Sequence, residues 1–304
     1  MEAVESSLNR YRGVIWTLSY RMLGTRADAD DIVQQTSVRA LERPPSDLDR
    51  DLRPWLVRVA INLARDELRR RKQRAYVGPW LPEPLASLTS STPGPDGEYE
   101  RKERAGYAYL VTLEQLSPTA RAVLLLRDVL DYSIRETSAA LDISEANVKT
   151  SLHRARRTLA EAGLDDAERP PELKLQRERI QGLLLAVLRG DTDAVENLLH
   201  RSIKAVTDSA GAYHAARNVV VGPSKVARFM VGLVRQRRTI QSLRWIYVDA
   251  DVGLEVAYEP EPNRLPPRAI VTFGFDRELR FTGVFSVVAP NKLPRPREGA
   301  TSRP

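Results

Sequence analysis

One segment restricts the fold of this chain more than any other: residues 131–162, DYSIRETSAALDISEANVKTSLHRARRTLAEA. Its pattern predicts a short helix, a tight turn near Asp142 and a longer second helix that the hydroxyl of Ser144 caps. Four apolar residues of the second helix recur at steps of four, three and four and predict its buried stripe: Val148, Leu152, Ala155 and Leu159. Two helices joined in this way form a helix-turn-helix.

The opposite face of the second helix carries positive and hydrogen-bonding side chains: Asn147, Lys149, Ser151, His153, Arg154, Arg156 and Arg157. A helix with such a face fits the major groove of DNA. Residues near its start are expected to meet base edges, and the arginines further along are expected to meet phosphates, because phosphate contact needs charge more than shape. The alternative is the solvated face of an ordinary helical bundle, so DNA binding is a hypothesis at this point.

Residues 5–75 have apolar positions at helical spacing, which predicts a helical bundle. Between Arg53 and Lys72 the predicted apolar stripe consists of Trp55, Leu56, Val59, Ala60 and Leu63. The predicted polar stripe on the other face consists of Arg58, Asn62, Arg65 and Arg69. Nine Lys or Arg stand against three acidic residues between Arg50 and Arg74, which makes a second candidate DNA contact. A helix end that offsets the helix dipole, or a surface that aids solubility, is the alternative.

Three features divide the rest of the chain. Residues 76–100, YVGPWLPEPLASLTSSTPGPDGEYE, hold most of the local Pro, Gly and Ser and predict a linker between two helical domains. Residues 101–162 predict a second helical unit of three helices, one of which starts at Ser117 with a hydroxyl cap. Breaks then follow at Gly163 and at Pro170-Pro171.

Beyond residue 172 the pattern changes to helical stretches at 173–189 and 191–200, followed by β-rich runs such as RAIVTFGF and LRFTGVFSVV. This order predicts a third domain of α+β type. The tail from Pro294 onward is rich in proline and is expected to be disordered.

Composition restricts the remaining possibilities. The chain has 304 residues, enough for two or three domains, and the absence of cysteine excludes disulfides, thiolate zinc sites and cysteine nucleophiles. Lys and Arg total 47 against 40 Asp and Glu, which weakly favours a polyanionic partner. No stretch approaches the roughly 20 apolar residues of a membrane-spanning helix. The start of the chain also lacks a signal pattern, so we expect a soluble, cytoplasmic protein.

Three segments, taken in order, carry a family resemblance: DADDIVQQTSVRAL at 28–41, RPWLVRVAINLARDELRRRKQR at 53–74, and the helix-turn-helix at 131–162. Together they resemble the two conserved domains of an extracytoplasmic-function (ECF) sigma factor. The linker run YVGPWLPEPL resembles that of the sigma-J-like subfamily, whose members bear a C-terminal SnoaL-like domain.

The resemblance implies a multi-domain fold class: two all-α sigma domains, a helical bundle and a helix-turn-helix, followed by an α+β cone of the SnoaL or NTF2 type. The domains it implies are sigma region 2 at 1–75, the linker at 76–100, sigma region 4 at 101–165, a SnoaL-like regulatory domain at 173–293 and a disordered tail at 294–304.

The resemblance also implies three binding surfaces. The surface for the clamp helices of the largest subunit of core RNA polymerase would be formed by Asp28, Asp30, Asp31 and Gln34. The promoter −10 element would be read by Arg58, Asn62, Arg65, Asp66 and Arg69. The −35 element would be read by Ser144, Asn147, Lys149, Ser151, His153, Arg154 and Arg157.

Two signatures mark the C-terminal domain of that subfamily, and both are degraded here. The position of the Asp-Gly-Gly-Gly signature is occupied here by Asp208-Ser209-Ala210-Gly211. The position of the Asn-Pro-Asp-Lys-Leu signature is occupied by Ala289-Pro290-Asn291-Lys292-Leu293. We therefore expect regulatory roles for Trp80, Asp208, Gly211, Asn291, Lys292 and Leu293. A contact between Leu293 and the Trp80 ring would dock the end of this domain on the linker.

The expected function is recruitment of core polymerase to promoter DNA and opening of the −10 region, regulated by the C-terminal domain, without enzymatic activity, cofactor, metal or membrane. One alternative is a helix-turn-helix regulator that senses a ligand through the cone and never binds polymerase. Another is a SnoaL-like isomerase or hydroxylase. Its candidate acids and bases, none with diagnostic spacing, would be His200, Asp208, Tyr213, His214 and Asp249.

Overall fold

The computed structural model describes residues 2–48, 50–71, 76–87, 106–164, 172–235, 239–259 and 265–294. The chain forms two compact units. The helical unit consists of Met1–Tyr76 and Ala108–Ala167, and the sheet unit consists of Val77–Tyr107 and Glu168–Pro304. The tail expected to be disordered lies, beyond Pro294, outside the described residues. Within those residues no helix is long and apolar enough to cross a lipid bilayer.

The first part of the helical unit contains three helices: α1 (Glu2–Leu23), α2 (Arg26–Glu42) and α3 (Arg53–Arg71). The hydroxyl of Thr25 caps α2 by accepting the backbone N–H of Asp28, as expected for a helix start. The buried face of α3 differs from the predicted stripe. Leu56, Ala60 and Leu63 are buried, but Trp55 and Val59 are only half-buried. Their places in the core are taken by Val57, Ile61 and Ala64.

Three helices were predicted for the second part of the helical unit, and its described residues, 106–164, form four: α4 (Tyr107–Leu113), α5 (Pro118–Asp128), α6 (Ile134–Leu141) and α7 (Glu145–Glu161). Ser117 and Ser144 cap α5 and α7 through their hydroxyl groups, as predicted. Asp142 ends α6 in a left-handed conformation with φ of 53°, which makes the tight turn of the helix-turn-helix. The four predicted core residues of α7 are buried.

The sheet unit is of α+β type. Its elements are β1 (Ala86–Ser87), α8 (Leu173–Arg189), α9 (Thr192–Asn197), β2 (Leu199–Asp208), β3 (Val220–Val221), α10 (Pro223–Arg235), β4 (Ile240–Val248), β5 (Asp251–Tyr258), β6 (Arg268–Phe275), β7 (Phe281–Val287) and a 3-10 turn (Pro290–Lys292). The strand order is β1-β4-β5-β6-β7-β2-β3. Among the strands that the structure describes, β2 and β7 pair in parallel and the other neighbours pair in antiparallel fashion. The helix predicted at 191–200 ends at Asn197, so His200 lies on a strand.

Apolar side chains from α8, α10 and the strands fill the space between the helices and the sheet. Ile180 and Leu183 of α8 are fully buried there. The ring of Phe281 lies between those of Phe273 and Phe275, with centroid separations of 5.6 and 4.9 Å. Rings at these distances form a tightly packed core.

The described part of the predicted linker packs on the sheet unit. Ala86 and Ser87 pair in antiparallel fashion with the end of β4, and the backbone of Leu85 accepts the N–H of Asp249. Leu81 is fully buried. Residues 77–87 are therefore part of a folded domain, although their Pro-rich composition predicts a linker.

Candidate functional site

The polar face of α7 is largely exposed to solvent. Every residue predicted to meet the −35 element is exposed except Ser151, which is half-buried. Ser151 donates a hydrogen bond from its hydroxyl to the side-chain oxygen of Asn147, over 3.1 Å. The buried residues of α7 lie on the other face, so its polar side chains point away from the core.

The arginines of α7 have different surroundings. Arg156 makes two hydrogen bonds to Asp128 of α5, of 3.1 and 2.6 Å, and these bonds raise the pKa of its guanidinium. Arg157 pairs loosely with Glu161 at 3.4 Å, and both side chains are exposed. Arg154 makes no ion pair within the part of the chain that the structure describes. Arg156 therefore joins two helices of the domain, whereas the side chains of Arg154 and Arg157 project from α7 into solvent.

The polar stripe of α3 is divided into an exposed and a covered part. Arg58 is exposed, and Asp66 and Arg69 form an exposed ion pair at 3.1 Å. Asn62 and Arg65, by contrast, contact the C-terminal end of α6 in the same unit.

The contact with α6 uses backbone carbonyl groups that a helix end leaves without intrahelical partners. The side-chain amide of Asn62 donates to the carbonyl of Ala140 at 3.0 Å. The guanidinium of Arg65 donates to the carbonyl of Leu141 at 2.9 Å and to the side-chain oxygen of Asn62 at 3.0 Å. Arg65 is only 6% exposed, and this burial lowers its pKa. Two residues expected to read the −10 element therefore hold the helix-turn-helix against α3.

A second buried arginine joins the same two domains and was missed in the sequence. Arg121 of α5 is 2% exposed and donates to the carbonyl of Met22, at the end of α1, over 2.6 Å. It also pairs with Glu114 at 2.6 Å. The available signal was an arginine inside the otherwise apolar run of α5, TARAVLLL, where a charge needs a fixed partner.

The residues of the acidic helix α2 also divide into two groups. Asp28 forms an ion pair with Arg71 and a hydrogen bond with Thr25, so it holds helices together. Asp30 accepts a hydrogen bond from the indole N–H of Trp16 at 2.7 Å. Asp31 and Gln34 are exposed. The same helix exposes two apolar side chains further along, Val38 at 47% and Leu41 at 44%.

The sheet unit holds the start of the linker with a buried ion pair. Lys292 and Asp208 lie 2.7 Å apart, with side chains 4% and 0% exposed. Lys292 also donates to the carbonyl of Leu81 at 2.7 Å, and Asp208 accepts the N–H of Leu81 at 2.9 Å. The ammonium nitrogen lies 3.9 Å from the centroid of the Trp80 ring, a cation–π contact. We name this group the linker clamp: Trp80, Leu81, Asp208 and Lys292.

The other predicted regulatory residues lie around the clamp. Lys292 contacts the face of Trp80, while Leu293 is half-buried and Asn291 is exposed. The contact predicted between Leu293 and Trp80 stays a prediction. Gly211 has a φ of 76°, and a Cβ there would lie 2.9 Å from a methyl group of Val77. Glycine is therefore required for the close approach of this loop to the linker.

The candidate acids and bases of the sheet unit are scattered over different sites. Asp208 is paired with Lys292, and the ring of His200 contacts the hydroxyl of Ser202 at 2.7 Å. Asp249 lies in the β4–β5 turn. Tyr213 and His214 line a shallow cavity of about 100 Å³ beside the linker. Among these candidates, Tyr213 and His214, which are neighbours in the sequence, share one cavity, whereas Asp208 and His200 contact other partners.

Comparison with known proteins agrees with this division. The Sigma-70 region 2 family model matches residues 8–74, and the model of Sigma-70, region 4 matches residues 108–159. The chain is 34% identical over 234 residues to the ECF RNA polymerase sigma factor SigJ of Mycobacterium tuberculosis, covering 76% of this chain and 73% of that protein. It is 30% identical over 233 residues to SigG of the same species, covering 69% and 63%.

A solved structure extends the likeness to both units. The crystal structure of the Mycobacterium tuberculosis ECF sigma factor SigJ matches with a TM-score of 0.72 and 28% identity, covering 94% of this chain and 97% of that one. The predicted fold class, two helical sigma domains followed by an α+β domain, is thereby confirmed. The chain belongs to the ECF sigma factor family of RNA polymerase.

Proposed function

We propose that this ECF sigma factor binds core RNA polymerase through the exposed face of α2, reads promoter DNA with α3 and α7, and is controlled by its sheet unit through the linker. The observation that carries the first two parts is the order of two sigma-region matches on one helical unit. The region 2 match also disfavours a regulator that acts without polymerase. The role is recruitment, not catalysis, and its place of action is the cytoplasm, where polymerase and promoters meet.

The contact of Asn62 and Arg65 with α6 supports a closed form of the free protein. Both side chains donate hydrogen bonds to carbonyl groups at the end of α6. These bonds must break before the side chains can bind unstacked −10 bases. Promoter DNA and core polymerase would therefore bind preferentially to an open form, in which these hydrogen bonds are broken. A ligand that binds one of two conformations better shifts the population toward it.

The linker clamp supports control by the sheet unit. A linker that is fixed at Leu81 leaves fewer positions for the two promoter readers than a free one. Fixing readers at promoter spacing raises their joint affinity, and fixing them elsewhere lowers it. We therefore expect release of the clamp to change promoter-dependent transcription several-fold.

Run-off transcription with purified core polymerase on a library of promoters tests the main proposal. We expect full-length protein to direct transcripts from a subset of promoters, and to bind core polymerase in a pull-down. Binding to DNA without any binding to core polymerase would instead identify a polymerase-independent regulator.

Charge reversal at Asp31 tests the polymerase surface. Asp31→Lys should weaken binding to core polymerase several-fold without unfolding the protein, because Asp31 is exposed. Asp28→Lys, in the same predicted surface, should instead lower thermal stability because Asp28 pairs with Arg71. Unchanged affinity of the folded Asp31→Lys protein, measured by titration with labelled core polymerase, would contradict the assignment of α2.

Neutral substitutions on α7 test the DNA surface. Arg154→Ala and Arg157→Ala should each lower the affinity for −35 DNA and reduce the slope of log affinity against log salt by about one. Arg156→Ala is the internal control and should mainly lower stability, because Arg156 is bound to Asp128. Fluorescence anisotropy at several salt concentrations measures the slope. Identical slopes for parent, Arg154→Ala and Arg157→Ala would rule out this docking face.

A further inference from the structure

The start of α4, which follows the linker in the chain, has its own attachment to the sheet unit, separate from the linker clamp. The carboxylate of Asp251, at the start of β5, accepts the backbone N–H of Tyr107 at 2.8 Å. Its other oxygen accepts the side-chain amide of Gln176 at 3.1 Å, and Gln176 in turn accepts the N–H of Val252 at 2.8 Å. All three side chains are nearly or completely buried: Tyr107, Gln176 and Asp251.

The Tyr107 side chain joins this attachment to the first part of the linker. Its hydroxyl donates to the carbonyl of Pro82 at 2.6 Å, and its ring lies 6.0 Å from that of Phe285 on β7. Tyr107 is fully buried. Tyr107 is also the first residue of α4, and the rest of that helix belongs to the helical unit. The residue at which the chain enters the helix-turn-helix domain is thus held inside the sheet unit.

Gly106 permits the close approach of the backbone to Asp251. A Cβ at this position would lie 2.7 Å from one carboxylate oxygen, 3.4 Å from the carboxyl carbon and 3.5 Å from the other oxygen. These three atoms are the nearest neighbours, and all belong to Asp251. Gly106 has no positive φ, so alanine would add steric overlap with one side chain without backbone strain.

We propose that Asp251, oriented by Gln176, is a positioning residue that fixes the first residue of α4 to the sheet unit. Through it the sheet unit acts on the −35-reading domain directly, in addition to its hold on the linker start. This proposal rests on the proposed control of transcription by the sheet unit. It adds a second point of control, in residues outside both of the degraded signatures.

A double-mutant cycle in the full-length protein tests the proposal. The variants are Gly106→Ala, Asp251→Ala and the pair together, with Gly182→Ala as a matched control, because a Cβ at Gly182 meets nothing within 4 Å. The measurements are hydrogen–deuterium exchange of the amides at 107–113 and promoter-dependent transcription with core polymerase.

We expect Gly106→Ala and Asp251→Ala each to raise the exchange of the amides at 107–113 by about tenfold, the effect of one lost buried hydrogen bond. Transcription should change several-fold and in the same direction for both. The pair should equal Asp251→Ala alone, because the added methyl group then has no carboxylate to displace. If Gly106→Ala prevents folding, Asp251→Ala in the same chain should restore it.

Any of three outcomes would overturn the proposal. The first is that the effects of the two substitutions on amide exchange are additive, and the second is that Gly106→Ala exchanges as the parent does. The third is that all folded variants direct transcription at the parental level. Lys292→Ala, measured in parallel, separates this failure from that of the proposed function. If Lys292→Ala alters transcription and the cycle variants do not, control by the sheet unit stands and the role of Asp251 falls. If none alters transcription, both fall.

Discussion

Lys292→Ala is expected to destabilise the sheet unit by about 3–5 kcal/mol, because it leaves a buried carboxylate without its counter-ion. Asp208 is fully buried, and the carbonyl of Leu81 loses its donor in the same change. The amides of residues 79–87 should therefore exchange faster, and promoter-dependent transcription should change several-fold. Denaturant unfolding and hydrogen–deuterium exchange measure the first two effects, and run-off transcription measures the third.

Two further variants make this experiment decisive. Lys225→Ala removes an exposed lysine of the same unit and should be neutral. Asp208→Asn combined with Lys292→Met removes both buried charges while keeping an acceptor for Leu81, so it should recover more than half of the lost stability. A Lys292→Ala protein with parental stability and parental exchange at 79–87 would show that the clamp does not hold the linker.

Arg121→Met should open the helical unit. The substitution keeps an unbranched, apolar stem but removes the donor to the carbonyl of Met22 and the partner of Glu114. We expect a loss of about 2–4 kcal/mol in stability, since a buried charged hydrogen bond is broken. Arg121 is not among the predicted promoter readers, so the variant tests the closed form without altering the DNA surface.

Small-angle scattering and DNA binding report on the opening. The radius of gyration of Arg121→Met should exceed that of the parent, and its affinity for promoter DNA in the absence of polymerase should rise, because Asn62 and Arg65 become free of α6. Arg135→Met, at an exposed position of α6, is the matched control. A destabilised Arg121→Met protein with unchanged dimensions and unchanged DNA affinity would contradict the closed form.

Local features of this fold were predictable from sequence, and contacts between distant segments were not. The helix-turn-helix follows from apolar spacing, a hydroxyl cap at Ser144 and a turn at Asp142, all within a few residues of each other. The hydrogen bonds of Arg65 and Arg121 reach carbonyl groups 76 and 99 residues away, and any carbonyl can accept an arginine. The residue types of Leu141 and Met22 therefore give no indication that their carbonyl groups accept these hydrogen bonds.

The packing of residues 77–87 on the sheet unit and the buried face of α3 escaped prediction for related reasons. Proline-rich composition predicts a chain without regular structure, but it says nothing of a partner such as Lys292, which is 211 residues from Leu81. The buried face predicted for α3 differs from the observed one by a rotation about the helix axis. Trp55 and Val59 fit the helical period as well as Val57 and Ile61 do, so the sequence pattern alone does not distinguish the two faces. Packing against α1 and α2 decides between the two stripes. The roles of the polymerase-facing and promoter-facing residues stay predictions for the experiments above.

The pairing of β1 with β4 has a consequence for solubility. Strand edges with free N–H and C=O groups can recruit strands from other molecules, and a short covering strand prevents this. The linker strand covers β4 at Tyr247 and Val248, the end of β4 nearest the β4–β5 turn. Any signal that frees the linker therefore also uncovers part of a strand edge, and we expect the freed state to self-associate more readily. The fraction of molecules that can have a released linker is then limited by aggregation as well as by promoter affinity.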